Sequence, residues 1–140
     1  MGNSMTIDDG IKTYDIKNKQ GKLLCTFSFS PYDSGLVDRY EEVSKNLNAM
    51  ALKLEKEKIS NQERHARAET YIKEQYNYLF NADVEGSFFS VLSPLTALPN
   101  GKIFAEHVME VIANKISEES GIALKKIKIR VEKYTKKYHG

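Results

Sequence analysis

"KLLCTFSFSPYDSGLVDRYEEVSKNLNAMALKL", residues 22–54, changes its hydrophobic period partway along, and that change decides the fold class. Up to Phe29 the period is two: Leu23, Cys25, Phe27 and Phe29 alternate with Leu24, Thr26 and Ser28, as in a half-buried strand. From Leu36 the period is helical. Leu36, Val37, Tyr40, Val43, Leu47, Met50 and Leu54 form one stripe, and Arg39, Glu41, Glu42, Lys45 and Lys53 take the other faces. At the junction Ser30 can cap the helix, Pro31 suits its first position, and Asp33 sets a carboxylate near the positive end of the helix dipole. Gly35 offers a later start. A strand that feeds a long amphipathic helix makes the chain α+β.

Upstream, "IKTYDIK" reads as a weaker strand joined through "NKQG", whose Gly21 can take a positive φ, so residues 11–29 form a hairpin. Two strands are marginal in water. The ribbon must pack on helices or pair with another chain, and its free edge is a natural place for subunits to add. Downstream, "SNQE" at 60–63 is a capping-box pattern that opens a second helix running to about Phe80. Its first half offers little to bury and its end offers Tyr71, Ile72, Tyr76, Leu79 and Phe80, which predicts a helical hairpin whose tip, near residues 52–68, projects from the core. An apolar connector follows, "YLFNADVEGSFFSVLSPLTALPNGKIF" at 78–104. Within it Asn81 or Asp83 can cap a short helix that Pro94 ends, and "NG" at 100–101 is a turn. A further helix carries Ile103, Phe104, Val108, Val111, Ile112 and Ile116 on one stripe, with Gly121 as a left-handed C-cap. The expected architecture is mainly α: an N-terminal β-hairpin, a small helical bundle and a basic C-terminal helix. Residues 1–10 are expected to be a flexible start, 11–120 one domain, and 121–140 the basic segment.

At 140 residues the chain fits one domain with a real core. An apolar fraction of 41% with 29% charged residues argues against a wholly disordered chain. No apolar run approaches the ~20 residues of a membrane span, and no signal-peptide pattern occurs, so the expected location is the cytoplasm. The lone Cys25 suits that compartment and reads as a small buried hydrophobe. The start "MGNSMT" fits the bare myristoylation pattern through Gly2 and Thr6, but reads more simply as an unstructured or vector-derived start with Met5 as initiator. Charge is unevenly spread. Residues 121–140 carry +6 and the preceding 120 carry −4. In that basic segment Leu124, Ile127, Val131, Tyr134 and Tyr138 trace a helical seam, and the alternation of Ile127, Ile129 and Val131 leaves a short strand open.

Catalytic and metal signatures are missing. His65, His107 and His139 lie far apart, no HExxH, cysteine pair or DxDxDG loop occurs, and no metal or other cofactor is expected. The serines of "SFFSVLS" lack the GxSxG elbow, there is no P-loop, and adjacent carboxylates such as Glu41 and Glu42 point about 100° apart on a helix. The chain is expected not to be an enzyme. Two surfaces remain. Lys125, Lys126, Lys128, Arg130, Lys133, Lys136 and Lys137, interleaved with tyrosines, suit a nucleic acid, a partner helix or, less well, a membrane surface. The connector residues Phe88, Phe89, Val91, Leu92, Leu95 and Leu98 read either as a lid over the core or, in part, as a partner-binding surface.

The order of these elements resembles the tail assembly chaperones of long-tailed bacteriophages and prophages of Gram-positive hosts. The resemblance covers residues 11–117 and is carried by Phe29, Ser30, Pro31 and Asp33, then Arg39 and Tyr40, then Tyr78, Leu79 and Phe80. Asp83, Gly86, Phe88, Phe89, Pro94, Gly101 and Phe104 continue it. The family's phenylalanine-glycine pair is Phe80 and Asn81 here, with glycine only at 86. The resemblance implies a non-enzymatic chaperone that self-associates and coats the tape-measure protein in the host cytoplasm before tail-tube subunits displace it. It also implies a longer frameshifted form of the chain as a partner, and Lys136 and Lys137 suit a slippery adenine run. The alternative from the residues alone is a small nucleic-acid-binding protein.

Overall fold

The computed structural model of the chain describes residues 2–122 and 124. It is an α+β fold, an N-terminal antiparallel hairpin followed by four helices: β1 (Lys12–Lys17), β2 (Leu23–Phe29), α1 (Ser34–Lys56), α2 (Asn61–Phe80), α3 (Glu85–Phe89) and α4 (Phe104–Ser120). The expected basic C-terminal helix lies outside the described residues.

The hairpin closes through Asn18 and Gly21. Asn18 Oδ1 accepts from the amides of Gln20 and Lys22, and Gly21 takes φ 81°, where a side chain would be strained. Tyr14 opposes Phe27 and Ile16 opposes Cys25, but Lys17 opposes Leu23, so Leu24 has no partner and forms a bulge. The extra residue reverses the alternation. Leu23 was expected inside with Cys25, Phe27 and Phe29; it is instead 46% exposed, and Leu24 packs partly against the core.

The start of α1 also differs from expectation. Ser30 does not cap it; residues 30–33 close a turn, with the Asp33 amide donating to the Ser30 carbonyl at 3.2 Å. Asp33 is the N-cap, its carboxylate accepting from the Gly35 amide at 2.9 Å. The stripe of α1 buries Leu36, Tyr40, Val43, Leu47, Ala51 and Leu54. At the start of α2 the Ser60 hydroxyl accepts from the Glu63 amide at 3.1 Å. Only half of the capping box forms, because the Glu63 carboxylate turns to Arg67 at 2.8 Å.

Asn81 ends α2 as a left-handed C-cap at φ 51°, donating to the carbonyls of Asn77 and Tyr78, and does not cap the next helix. Helix α3 starts after Val84 without a side-chain cap and stops at Phe89, well before Pro94. Its apolar residues are too dense for one helical face. The chain leaves the helix there and turns to sink Leu95, which is 1% exposed. The Asn100–Gly101 turn forms as expected, with Gly101 donating to the Leu98 carbonyl at 3.0 Å.

Helix α4 buries Phe104, Val108, Met109, Ile112 and Ile116 against α1 and α2, and Gly121 at φ 76° ends it. Two tyrosines tie the helices together: Tyr40 of α1 donates to the Met109 carbonyl at 3.1 Å, and Tyr76 of α2 donates to the Ala105 carbonyl at 2.6 Å.

The start of α2 was expected to bury little, yet Arg64 is only 7% exposed and Ala68 is fully buried. The Arg64 guanidinium donates to the Leu54 and Glu57 carbonyls and to Asn61 Oδ1, each at 2.8 Å. It thereby satisfies the open carbonyl end of α1 and fixes the α1–α2 turn. Arg64→Ala is expected to cost about 2–3 kcal/mol because buried carbonyls lose charged donors. The check is thermal unfolding, with the midpoint lowered by roughly 7–10 °C. Arg64→Lys, which lacks the planar fork, should recover less than half of that loss.

Candidate functional site

The sequence singles out connector residues that the structure divides between interior and surface. Phe88 and Leu95 are fully buried; Phe89, Leu92 and Leu98 are half-buried; Val91 between them is 44% exposed. Phe88 stacks on Phe27 of β2 at 4.7 Å and on Phe80 at 5.1 Å, and meets the edge of Tyr76 at 4.9 Å. Phe89 meets the edges of Tyr76 at 4.8 Å and Phe104 at 6.2 Å. Phe89 and Leu92 thus pack against the core with part of their surface left to solvent, and Val91 is exposed. The basic residues Lys125, Lys126, Lys128, Arg130, Lys133, Lys136 and Lys137 lie outside the described residues.

The connector's backbone has a role that the sequence does not advertise. The N-cap position of α4 is Ile103, which has no side-chain acceptor. The carbonyls of Thr96 and Pro94 accept instead from the Phe104 amide at 2.8 Å and the Ala105 amide at 3.0 Å. Lys102 bridges back to Glu110 and steadies the same corner.

A second surface runs along the outer seam of α1 and α2. Glu42 accepts from the Tyr78 hydroxyl at 2.5 Å, Asn46 donates to Gln75 at 3.0 Å, and Arg67 pairs with Glu57 at 2.8 Å. The Glu42 contact raises the Tyr78 phenol above its usual range. Between these rungs Met50, Leu54 and Tyr71 line a shallow groove of about 340 Å³ rimmed by Lys53, Glu57 and Arg67. Single-sequence periodicity assigned these side chains to faces but had no means of pairing them across helices.

Among the described residues no three His, Cys, Asp or Glu side chains converge to hold a metal ion. His65 lies 3.9 Å from Glu69, and His107 lies 3.5 Å from Asn100. Among the described residues no helix is long and apolar enough to cross a membrane. No protein-family model, curated protein or solved structure matches the chain significantly.

Cys25, Tyr40 and Tyr76 act as core. Burial pushes the Cys25 thiol up to about 11 and the Tyr40 and Tyr76 phenols well above their usual range. All three stay neutral in the fold while the unfolded chain loses its thiol proton from about pH 8.5 and its phenol protons from about pH 10. Their contribution to stability is thus complete below about pH 8.5 and is lost as pH rises above it. Urea unfolding is expected to show a lower midpoint at about pH 10.5 than at about pH 7.5, with the Cys25 thiol inert to aromatic disulfides until the chain unfolds.

Proposed function

We propose that the chain is a non-enzymatic binding protein, a phage tail assembly chaperone that self-associates and holds segments of a tape-measure protein. The observation that carries this reading is the apolar surface that the connector leaves at exposed Val91 and at half-buried Phe89, Leu92 and Leu98, beyond the fully buried Phe88 and Leu95. A carrier of a long helical client needs many weak, reversible apolar contacts, and avidity across several copies turns them into a firm hold. The interior supports the same reading, since its deepest polar groups are tyrosine hydroxyls spent on backbone carbonyls. The resemblance in residues 11–117 supplies the client's identity, and the bacterial cytoplasm would be the place of action.

The test is light scattering after size exclusion of the full chain with fragments of the very long, helically periodic protein encoded beside it. A complex with at least one fragment is expected. Val91→Asp and Leu92→Asp should each weaken it at least tenfold while shifting the thermal midpoint by only a few degrees, because neither side chain is fully buried. Absence of binding to every fragment would overturn the reading. Tight DNA or RNA binding that falls steeply between 0.05 and 0.2 M salt would replace it with the nucleic-acid alternative seated on the basic segment.

A further inference from the structure

Helices α1 and α4 run antiparallel, since Tyr32 just before α1 meets Glu119 at the end of α4 at 3.4 Å, and Tyr40 farther along α1 meets the Met109 carbonyl at 3.1 Å. The next turn of α1 brings Ser44 level with Glu106. Along the line where the two helices meet, α4 sets Glu106, Glu110 and Ala113 on one face by helical spacing. Glu106 is 7% and Ala113 3% exposed, and the Glu110 side chain is 16% exposed. Its charge reaches Tyr40, whose phenol is raised first by burial and then by Glu110. On the α1 side stand half-buried Val37 and Ser44, with exposed Glu41 at the rim, and the Ser44 hydroxyl is buried without a hydrogen-bond partner. The line is therefore acidic. Carboxylates covered to this degree are held by cations or hydrogen-bond donors, and Lys102 is one such cation at Glu110.

We infer that residues 124–138 dock as a helix along this line in the same chain, antiparallel to α4. Three observations select that occupant. The first is where the described chain goes: Gly121 at φ 76° ends α4 in a left-handed turn, and Leu124 already lies half-buried against the core, so the chain comes back to the body at once. The second is charge. Residues 121–140 carry +6, and the line offers Glu41, Glu106 and Glu110. The third is register. In a helical hairpin that reverses at Ile122, positions equally far from the reversal come level, so Val131 meets Ala113, Tyr134 meets Glu110 and Tyr138 meets Glu106. The apolar seam of the segment therefore falls on the face that α4 turns to α1, with the small Ala113 leaving room for Val131. Tyr134, Tyr138 and Lys137 bring donors within reach of the two α4 carboxylates. A phosphate backbone would be repelled by the same carboxylates, which excludes nucleic acid as the occupant. A segment joined to the line by a few residues also has an effective concentration in the millimolar range, above that of any second copy. The inference goes beyond the client-binding reading and does not rest on it.

Hydrogen exchange on the unaltered full-length chain is the first test. Amides of residues 127–138 are expected to exchange at least a hundredfold more slowly than in a free peptide of the same sequence, and dilution should leave that protection unchanged. Exchange at the free-peptide rate, or protection that disappears on dilution because a second copy supplies it, overturns the inference. The second test fixes the register. In Ala113→Cys/Val131→Cys the two thiols face each other at disulfide distance, whereas in Ala113→Cys/Lys133→Cys the second thiol lies on the far side of the segment. Mild oxidation should close an intrachain disulfide at least tenfold faster in the first pair than in the second, with the buried Cys25 thiol taking no part. Circular dichroism confirms that both variants fold. Equal rates in the two pairs overturn the register and with it the docking line, and a disulfide-linked dimer in place of the intrachain bond overturns docking within one chain.

Discussion

The ring of Phe88 is the contact on which the rest of the structure depends. A two-stranded ribbon cannot hold itself together in water, and this one is joined to the helices through Phe27 against Phe88 and Phe80. Phe88 also meets Tyr76, so one fully buried side chain links the hairpin, the end of α2 and the connector. Aromatic pairs of this kind add about 0.5–1.5 kcal/mol each beyond the area they bury, and here several share one ring. The five residues of α3 are too few to be stable as a helix alone. They exist as a helix because Phe88 is held from three sides.

The second constraint is polar. A helix such as α4 ends in unpaired amides and carbonyls that must be met when it is buried. Its first amides are taken by the carbonyls of Thr96 and Pro94, and two carbonyls farther along its length receive the hydroxyls of Tyr40 and Tyr76. At the far end of the helical hairpin Arg64 does the same for α1. Buried hydrogen bonds, not ion pairs, thus set the relative placement of the three long helices. Most of the ion pairs lie on the partly exposed surface, where each contributes at most about 1 kcal/mol.

These constraints concentrate what is left for function on surfaces. The connector buries Phe88 and Leu95 and leaves Val91 exposed and Phe89, Leu92 and Leu98 half-buried. Apolar area left at the surface in this way would suit the binding role proposed above. The uneven charge of the chain, +6 in the last twenty residues against −4 before them, would orient such contacts over the distance of a Debye length.

The sequence by itself determined the elements whose causes are local. The period of two from Cys25 to Phe29, the helical stripe from Leu36 to Leu54, the Ser60 cap, the Asn100–Gly101 turn and the Gly121 stop all depend on neighbours within a few residues, and each is where its pattern placed it. The six connector residues were legible as apolar, but not as two that are buried, three that are half-covered and one that is exposed, since that split depends on Phe27, Tyr76 and Phe80 arriving from elsewhere in the chain. Only the tertiary structure decided that Asp33 and not Ser30 caps α1, that Leu24 bulges and turns Leu23 outward, that Arg64 is buried, and that the connector's carbonyls begin α4. In each of these a polar or apolar group had more than one local partner or none. The choice was made by whichever distant surface it came to lie against, because a buried group left unpaired costs more than any local preference can return.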